Sequence, residues 1–130
     1  TRGMIVTILA RMDGVDTSGG QTWFETGRAW AIENGISDGT DMPGNITREQ
    51  LALMLFRYAA HKGWAASARA ALDAYADGSS ISVWAADAMS WAVAAGLIQG
   101  RGGNMLAPQG KASRAETAAI LTRFLQAFSL

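Results

Sequence analysis

Apolar residues return along this chain at helical spacing, in separated stretches divided by polar, glycine-rich segments. Trp23, Trp30 and Ala31 fall on one face at a period of 3.6, and Trp84, Ala88, Trp91, Ala92 and Ala95 draw the same stripe further on. Leu51, Met54, Leu55 and Tyr58 share a face, matched later by Thr117, Ile120, Leu121 and Phe124. The spacings predict paired helices near 23–34 and 47–60, and again near 83–95 and 113–127, with an opening helix from about Thr1 to Met12. Gly35 and Gly96 are expected helix stops, since glycine supplies left-handed backbone at low cost. The loops that follow are rich in Gly, Asn, Asp and Pro, as turns require. The alanine-rich connection from His61 to Asp73 is expected to hold a short helix. No strand-like alternation of any length is present, so the class is all-α. Trp30, Trp91, Leu55 and Leu121 are expected in the core, where large rings pack against small neighbours.

The helices repeat. With Trp23 set over Trp84, an offset of 61, Trp30 falls on Trp91, Ala31 on Ala92, Gly35 on Gly96 and Gly39 on Gly100. After an insertion, Thr47-Arg48 falls on Ser113-Arg114, Leu55 on Leu121 and Arg57 on Arg123, and Thr1-Arg2 joins the same register. The chain thus reads as a single repeat domain over 1–130: the second half of repeat one (1–14), repeat two (21–60), a connection (61–74) and repeat three (75–127). Repeat one lacks its leading helix. That gap predicts an exposed apolar face, with self-association of the fragment or fraying of residues 1–14.

Composition narrows the partners. Of 130 residues 49% are apolar, enough for one core, and 11 basic residues balance 11 acidic ones. A neutral chain has no electrostatic footprint for nucleic acid or an anionic membrane. There is no cysteine, and the single histidine, His61, leaves no imidazole cluster for a metal. No cofactor or metal is therefore expected. No apolar run approaches the roughly 20 residues of a membrane span, and no stretch resembles a signal peptide. Opening on Thr1 directly before a helical pattern, the chain reads as a fragment of a longer protein.

Thr47 with Gln50, and Ser113 with Glu116, have the spacing of a capping box, whereas Thr1 meets Met4 and its box is expected to be incomplete. Capping does not explain Arg2, Arg48 and Arg114. Each occupies the first helical position, where the macrodipole disfavours a cation. Two readings stand. An arginine beside free helix amides can grip a carboxylate bidentately, or each arginine can form a salt bridge to a neighbouring repeat. Arg57 and Arg123, late in their helices, suit the dipole without a functional role.

Gly96-Leu97-Ile98-Gln99-Gly100, Leu106-x-Pro108 and Ser113-Arg114-Ala115-Glu116, with the Trp-Ala spacing before them, resemble an S-layer homology repeat. Asn34-Gly35-Ile36-Ser37-Asp38-Gly39 with Ile46-Thr47-Arg48-Glu49 resembles a second copy, and Thr1-Arg2-Gly3 the remnant of another. The likeness is to a repeat region of the C-terminal type in Gram-positive cell-surface proteins. It implies a pseudo-threefold arrangement of helix-loop-helix repeats whose grooves hold secondary cell-wall polysaccharide, often pyruvylated. The motif arginine would meet the acidic sugar, and Asp77, in Tyr75-Ala76-Asp77, would accept sugar hydroxyls. Asp16 is a poor match in the middle copy. Candidate carbohydrate-binding residues are Arg48, Arg114, Arg2, Asp77, Trp23, Trp84, Gly39 and Gly100. The implied setting is extracellular, on the cell wall, with no membrane insertion.

Other functions fit less well. An enzyme can be built on paper from pairs such as Glu33 and Asp38, but the repeats specify no two carboxyls held across a sugar. A twelve-residue calcium loop from Asp38 to Glu49 fails at Met42 and Pro43. A helical-repeat scaffold for protein partners is the remaining alternative, because stacked repeats create grooves of either use.

Overall fold

The structure, a computed structural model, describes residues 1–18, 22–64, 67–73, 75–100 and 105–127. Five α-helices follow in order: α1 (Arg2–Met12), α2 (Glu25–Glu33), α3 (Arg48–His61), α4 (Ala86–Ala94) and α5 (Arg114–Ala127). Two 3-10 turns, Gly78–Ser80 and Val83–Ala85, precede α4. Among the described residues the fold is all-α, with an isolated strand-like bridge between Thr47 and Lys111. The chain divides into two compact units, Thr1–Ile46 and Thr47–Leu130. The division falls inside repeat two, ahead of its second helix.

In the first unit α1 packs on α2. Gly27 permits the approach, since a Cβ there would stand 2.9 Å from the Thr7 Cα. Ile5, Val6, Leu9 and Ala10 are all buried, so the apolar face expected to lie open on α1 is shielded and the helix is intact. Self-association finds no support from that face. Thr1 Oγ1 accepts from the Met4 amide at 3.2 Å, and the Met4 sulfur lies 3.5 Å from the Thr1 nitrogen. The box expected to be incomplete is closed by a weak sulfur acceptor. Trp30 is buried as expected, its Nε1 donating to Asp13 Oδ2 at 3.1 Å.

The second unit is centred on aromatic rings. Phe124 of α5 meets Tyr58 of α3, Trp64 and Trp91 of α4 at centroid distances of 6.1, 5.7 and 6.3 Å. Leu55 and Trp91 are buried as expected, but Leu121 is only half-buried. The buried residues of α5 are Ile120 and Phe124, a stripe too narrow to include the next position round. The connection differs from expectation as well: residues 67–73 hold no helix. Ser90 explains this, accepting from the Ala70 amide at 3.0 Å and donating to the Ala70 carbonyl at 2.7 Å. Tertiary bonds to α4 override the helix propensity of alanine.

Both units use one joint. The first amides of a helix have no partner within it. At α1, Arg2 and Gly3 donate theirs to the carbonyls of Gly44 and Met42 at 3.0 and 2.8 Å. At α3, Arg48 and Glu49 donate theirs to Gly110 and Pro108 at 2.9 and 3.0 Å. The third amide goes to the cap hydroxyl in each case. The receiving loops share a left-handed residue, Asp41 (φ 51°) in one and Ala107 (φ 50°) in the other. A helix from one repeat is thereby locked to the loop of the next.

Candidate functional site

The joint decides what the motif arginines can do. The amides beside Arg2 and Arg48 are already bonded to loop carbonyls, so the free-amide anion site expected at α1 and α3 is absent. Only at α5 do the first two amides, of Arg114 and Ala115, make no hydrogen bond to the described residues. Arg114 is exposed there, without hydrogen bond or ion pair to the described residues.

Arg48 lies inside the second unit with 4% of its surface exposed. Its Nε donates to the Leu106 carbonyl at 2.7 Å, one terminal nitrogen to the Gln99 carbonyl at 2.7 Å, and the other to Glu116 Oε2 at 2.5 Å. Glu116 does two jobs, because its other oxygen accepts from the Ser113 amide at 3.2 Å and closes the capping box of α5. Asp77 stands behind this cluster, buried, and accepts the amides of Leu106 and Ala107 at 2.8 Å each. Burial pushes its acidity the other way, but those amides and the Arg48 charge outweigh it and hold the carboxyl below its ordinary value. Asp77 therefore fixes the loop whose carbonyl orients Arg48.

An open cleft of about 210 Å³ lies over the cluster, lined by Arg48, Gln99, Gly100, Glu116, Ala119, Ile120 and Arg123. Arg123 reaches it from the third turn of α5 and gives one bond, to the Leu97 carbonyl at 3.2 Å. The partly exposed Ala119 and the buried Ile120 complete the apolar part of the lining. Of the expected site residues the cleft collects Arg48 and Gly100. Trp84 sits on the 3-10 turn before α4, 53% exposed and outside the cleft lining.

The first unit holds Arg2, Trp23 and Gly39. Arg2 approaches Asp38 at 3.6 Å, and its Nε is buried without a hydrogen-bond partner, unlike the Nε of Arg48. Asp38 is held below its ordinary carboxyl value by the Thr40 amide, then by the Thr40 hydroxyl, with the Arg2 charge adding to both. Trp23 is 56% exposed, edge-on to Phe24 at 5.3 Å, and its ring would come within 3.2 Å of a Cβ at Gly3. Gly39 is buried with φ 78°, its carbonyl accepting from Arg28 at 2.8 Å. Among the described residues Asp16 bonds to Ser18 nearby and makes no loop clamp of the Asp77 kind.

The sequence model of the S-layer homology domain matches residues 74–118, which span the Asp77 turn, α4, the following loop and the start of α5. Over that stretch the chain is similar to an S-layer homology domain. Domains of this family mediate non-covalent attachment to the cell wall and associate with the cell surface. No curated protein and no solved structure matches the chain significantly. The match includes Arg114 and Glu116 but stops short of Arg123, and Arg48 lies well before it. No described helix is long and apolar enough to cross a membrane.

Sequence reasoning set Arg123 aside as a dipole partner and passed over Gln99 as a cleft residue and Glu116 as more than a cap. One signal was available: Glu116, Ala119, Ile120 and Arg123 recur at spacings of three and four, one face of α5.

Proposed function

We propose that this chain is a binding module that anchors a cell-surface protein to secondary cell-wall polysaccharide, through an acidic sugar, such as a pyruvylated one, held in the cleft of the second unit. The observation that carries the reading is the convergence of two guanidinium groups on an open cleft that also presents the partly exposed Ala119. A sugar ring can lie against Ala119 while its carboxylate meets the positive edge. At about 210 Å³ the cleft is smaller than the roughly 300–1,000 Å³ of sites for larger ligands, which suits one sugar residue of a polymer. Glu116, the one carboxylate among the described lining residues, is committed to Arg48 and to the α5 cap. A glycosidase needs two carboxyls facing the scissile bond, so binding rather than catalysis fits this lining. The setting consistent with such a ligand is the outer surface of a Gram-positive cell.

The test is co-sedimentation with purified cell walls, before and after chemical removal of the wall polysaccharide. Binding that disappears with the polysaccharide supports the reading. Equal sedimentation with stripped peptidoglycan, or none with either, refutes it. The exposed pair Val83 (94%) and Trp84 (53%) favours the second reading, a scaffold for protein partners. That reading would be left standing if protein-free walls fail to hold the chain.

A further inference from the structure

Resting on the wall-binding reading, we propose that Arg123, not the motif arginine Arg48, makes the direct contact with the ligand's carboxylate, and that Arg48 is a positioning residue that fixes the cleft. The argument is an account of donors and charge. Arg48 has every guanidinium nitrogen engaged by the protein, is almost fully buried, and has its charge matched by Glu116. It has little left to offer a ligand. Arg123 is half-buried and gives a single hydrogen bond, to Leu97. A guanidinium carries five donors, so Arg123 enters the cleft with most of them unspent. With Arg48 and Glu116 paired, the remaining positive charge among the described lining residues is that of Arg123.

Position supports the assignment. Arg123 follows Ala119 and Ile120 on the same face of α5, and all three line the cleft. Gln99 is in the same lining, and its side chain is exposed and makes no hydrogen bond with the described residues, leaving an amide for hydroxyls. A carboxylated sugar fits with its acid on Arg123, its apolar face against the partly exposed Ala119 and a hydroxyl toward Gln99. This pattern assigns specificity for an acidic over a neutral sugar to Arg123.

The experiment uses the 130-residue chain and polysaccharide fragments released from walls that bind it, in native and carboxyl-reduced form. Arg123→Gln is expected to weaken binding to native fragments about tenfold to a hundredfold, as for one charge-assisted bond. It should bind native and reduced fragments alike and melt close to the wild type. Arg123→Lys should recover part of the loss, since lysine keeps the charge but not the fork. In the wild type, the Arg Nε–H resonance of Arg123 should shift on titration with native fragments while that of Arg48 stays in place, a readout that needs no variant to fold. Arg123→Gln binding native fragments as tightly as the wild type overturns the proposal. So does a ligand-induced shift at Arg48 with none at Arg123. A wild type that binds native and reduced fragments equally leaves polysaccharide binding standing and removes the acidic-sugar assignment with it. A wild type that binds no wall polysaccharide removes the function itself, so the two failures are distinct.

Discussion

Replacing Arg48 with alanine takes three hydrogen bonds from the second unit at once. The Leu106 and Gln99 carbonyls lose their donor, and Glu116 loses its cation. Removing one partner of a buried pair costs about 3–5 kcal/mol. Here the cost is lower, because Glu116 is 29% exposed and keeps its bond to the Ser113 amide. We expect a loss of about 2–4 kcal/mol, or a melting point lower by about 8–15 °C, with the fold retained at room temperature. The backbone joint survives, since the Arg48 amide still reaches Gly110. Thermal unfolding by circular dichroism measures the loss. A companion Glu116→Gln variant keeps the cap acceptor and removes the charge, so a double-mutant cycle isolates the pair. Arg48→Ala melting within about 1 kcal/mol of the wild type, with additive effects in the cycle, would refute the reasoning. Arg48 would then be free for the ligand, as the motif alone suggests.

Asp77→Asn should destabilise the unit by about 1–2 kcal/mol at neutral pH through the weakened clamp on Leu106 and Ala107. Because the folded carboxyl sits below its ordinary value of 3.8, its contribution is complete above that value and is lost as the pH falls through the folded one. Melting curves of the two proteins should therefore converge in strong acid, and a gap that stays constant with pH contradicts the clamp. Gly39→Ala should cost more than Gly35→Ala. Both glycines have positive φ, but a Cβ at Gly39 would meet Ile32 Cδ1 at 2.5 Å while one at Gly35 meets open space. We expect about 1 kcal/mol for Gly35→Ala and about 2–3 kcal/mol for Gly39→Ala, and equal losses by denaturant titration would count against the packing argument.

The helices were legible because each carries its own signals. The stripe that buries Leu51, Leu55 and Tyr58 is a local period, and Thr47 with Gln50 is a local cap. What local signals could not reveal was where the first amides of α1 and α3 donate. That depends on loops far along the chain, and without them a helix start reads as an open anion site. The same limit hid the cleft. Arg48 and Glu116 meet from 68 residues apart, and Gln99 shares a lining with Arg123, which bonds to the Leu97 carbonyl 26 residues before it. Leu121 failed for a related reason: the period marks a face, but the width of the buried stripe is set by the neighbours. The connection failed because Ser90 offers Ala70 better bonds than a short helix could, and nothing near Ala70 in sequence announces Ser90.

The repeat visible in the sequence and the unit that folds are out of phase by half a repeat. Each unit begins with the second helix of one repeat, and its first amides are satisfied only by the loop of the next. This follows from the chemistry of helix ends, since the first amides must find acceptors and the repeat's own first half ends before its second helix starts. The cleft inherits the same composition. Arg48 comes from repeat two, whereas Gln99, Gly100, Glu116 and Arg123 come from repeat three. Repeat three alone, which is most of what the family match covers, would lack the residue that orients the Gln99 and Leu106 carbonyls and holds Glu116. The cleft is thus a property of two successive repeats, and it forms where the donor helix of one and the loop of the next both carry the right residues. Unit one supplies the contrast. It has the joint and the arginine, but Thr40 stands where Leu106 would, Asp38 where Gln99 would, and no aspartate clamps its loop. The Arg2 Nε is left buried without the carbonyl that its counterpart has. Copying the helix start is therefore not enough to copy the site.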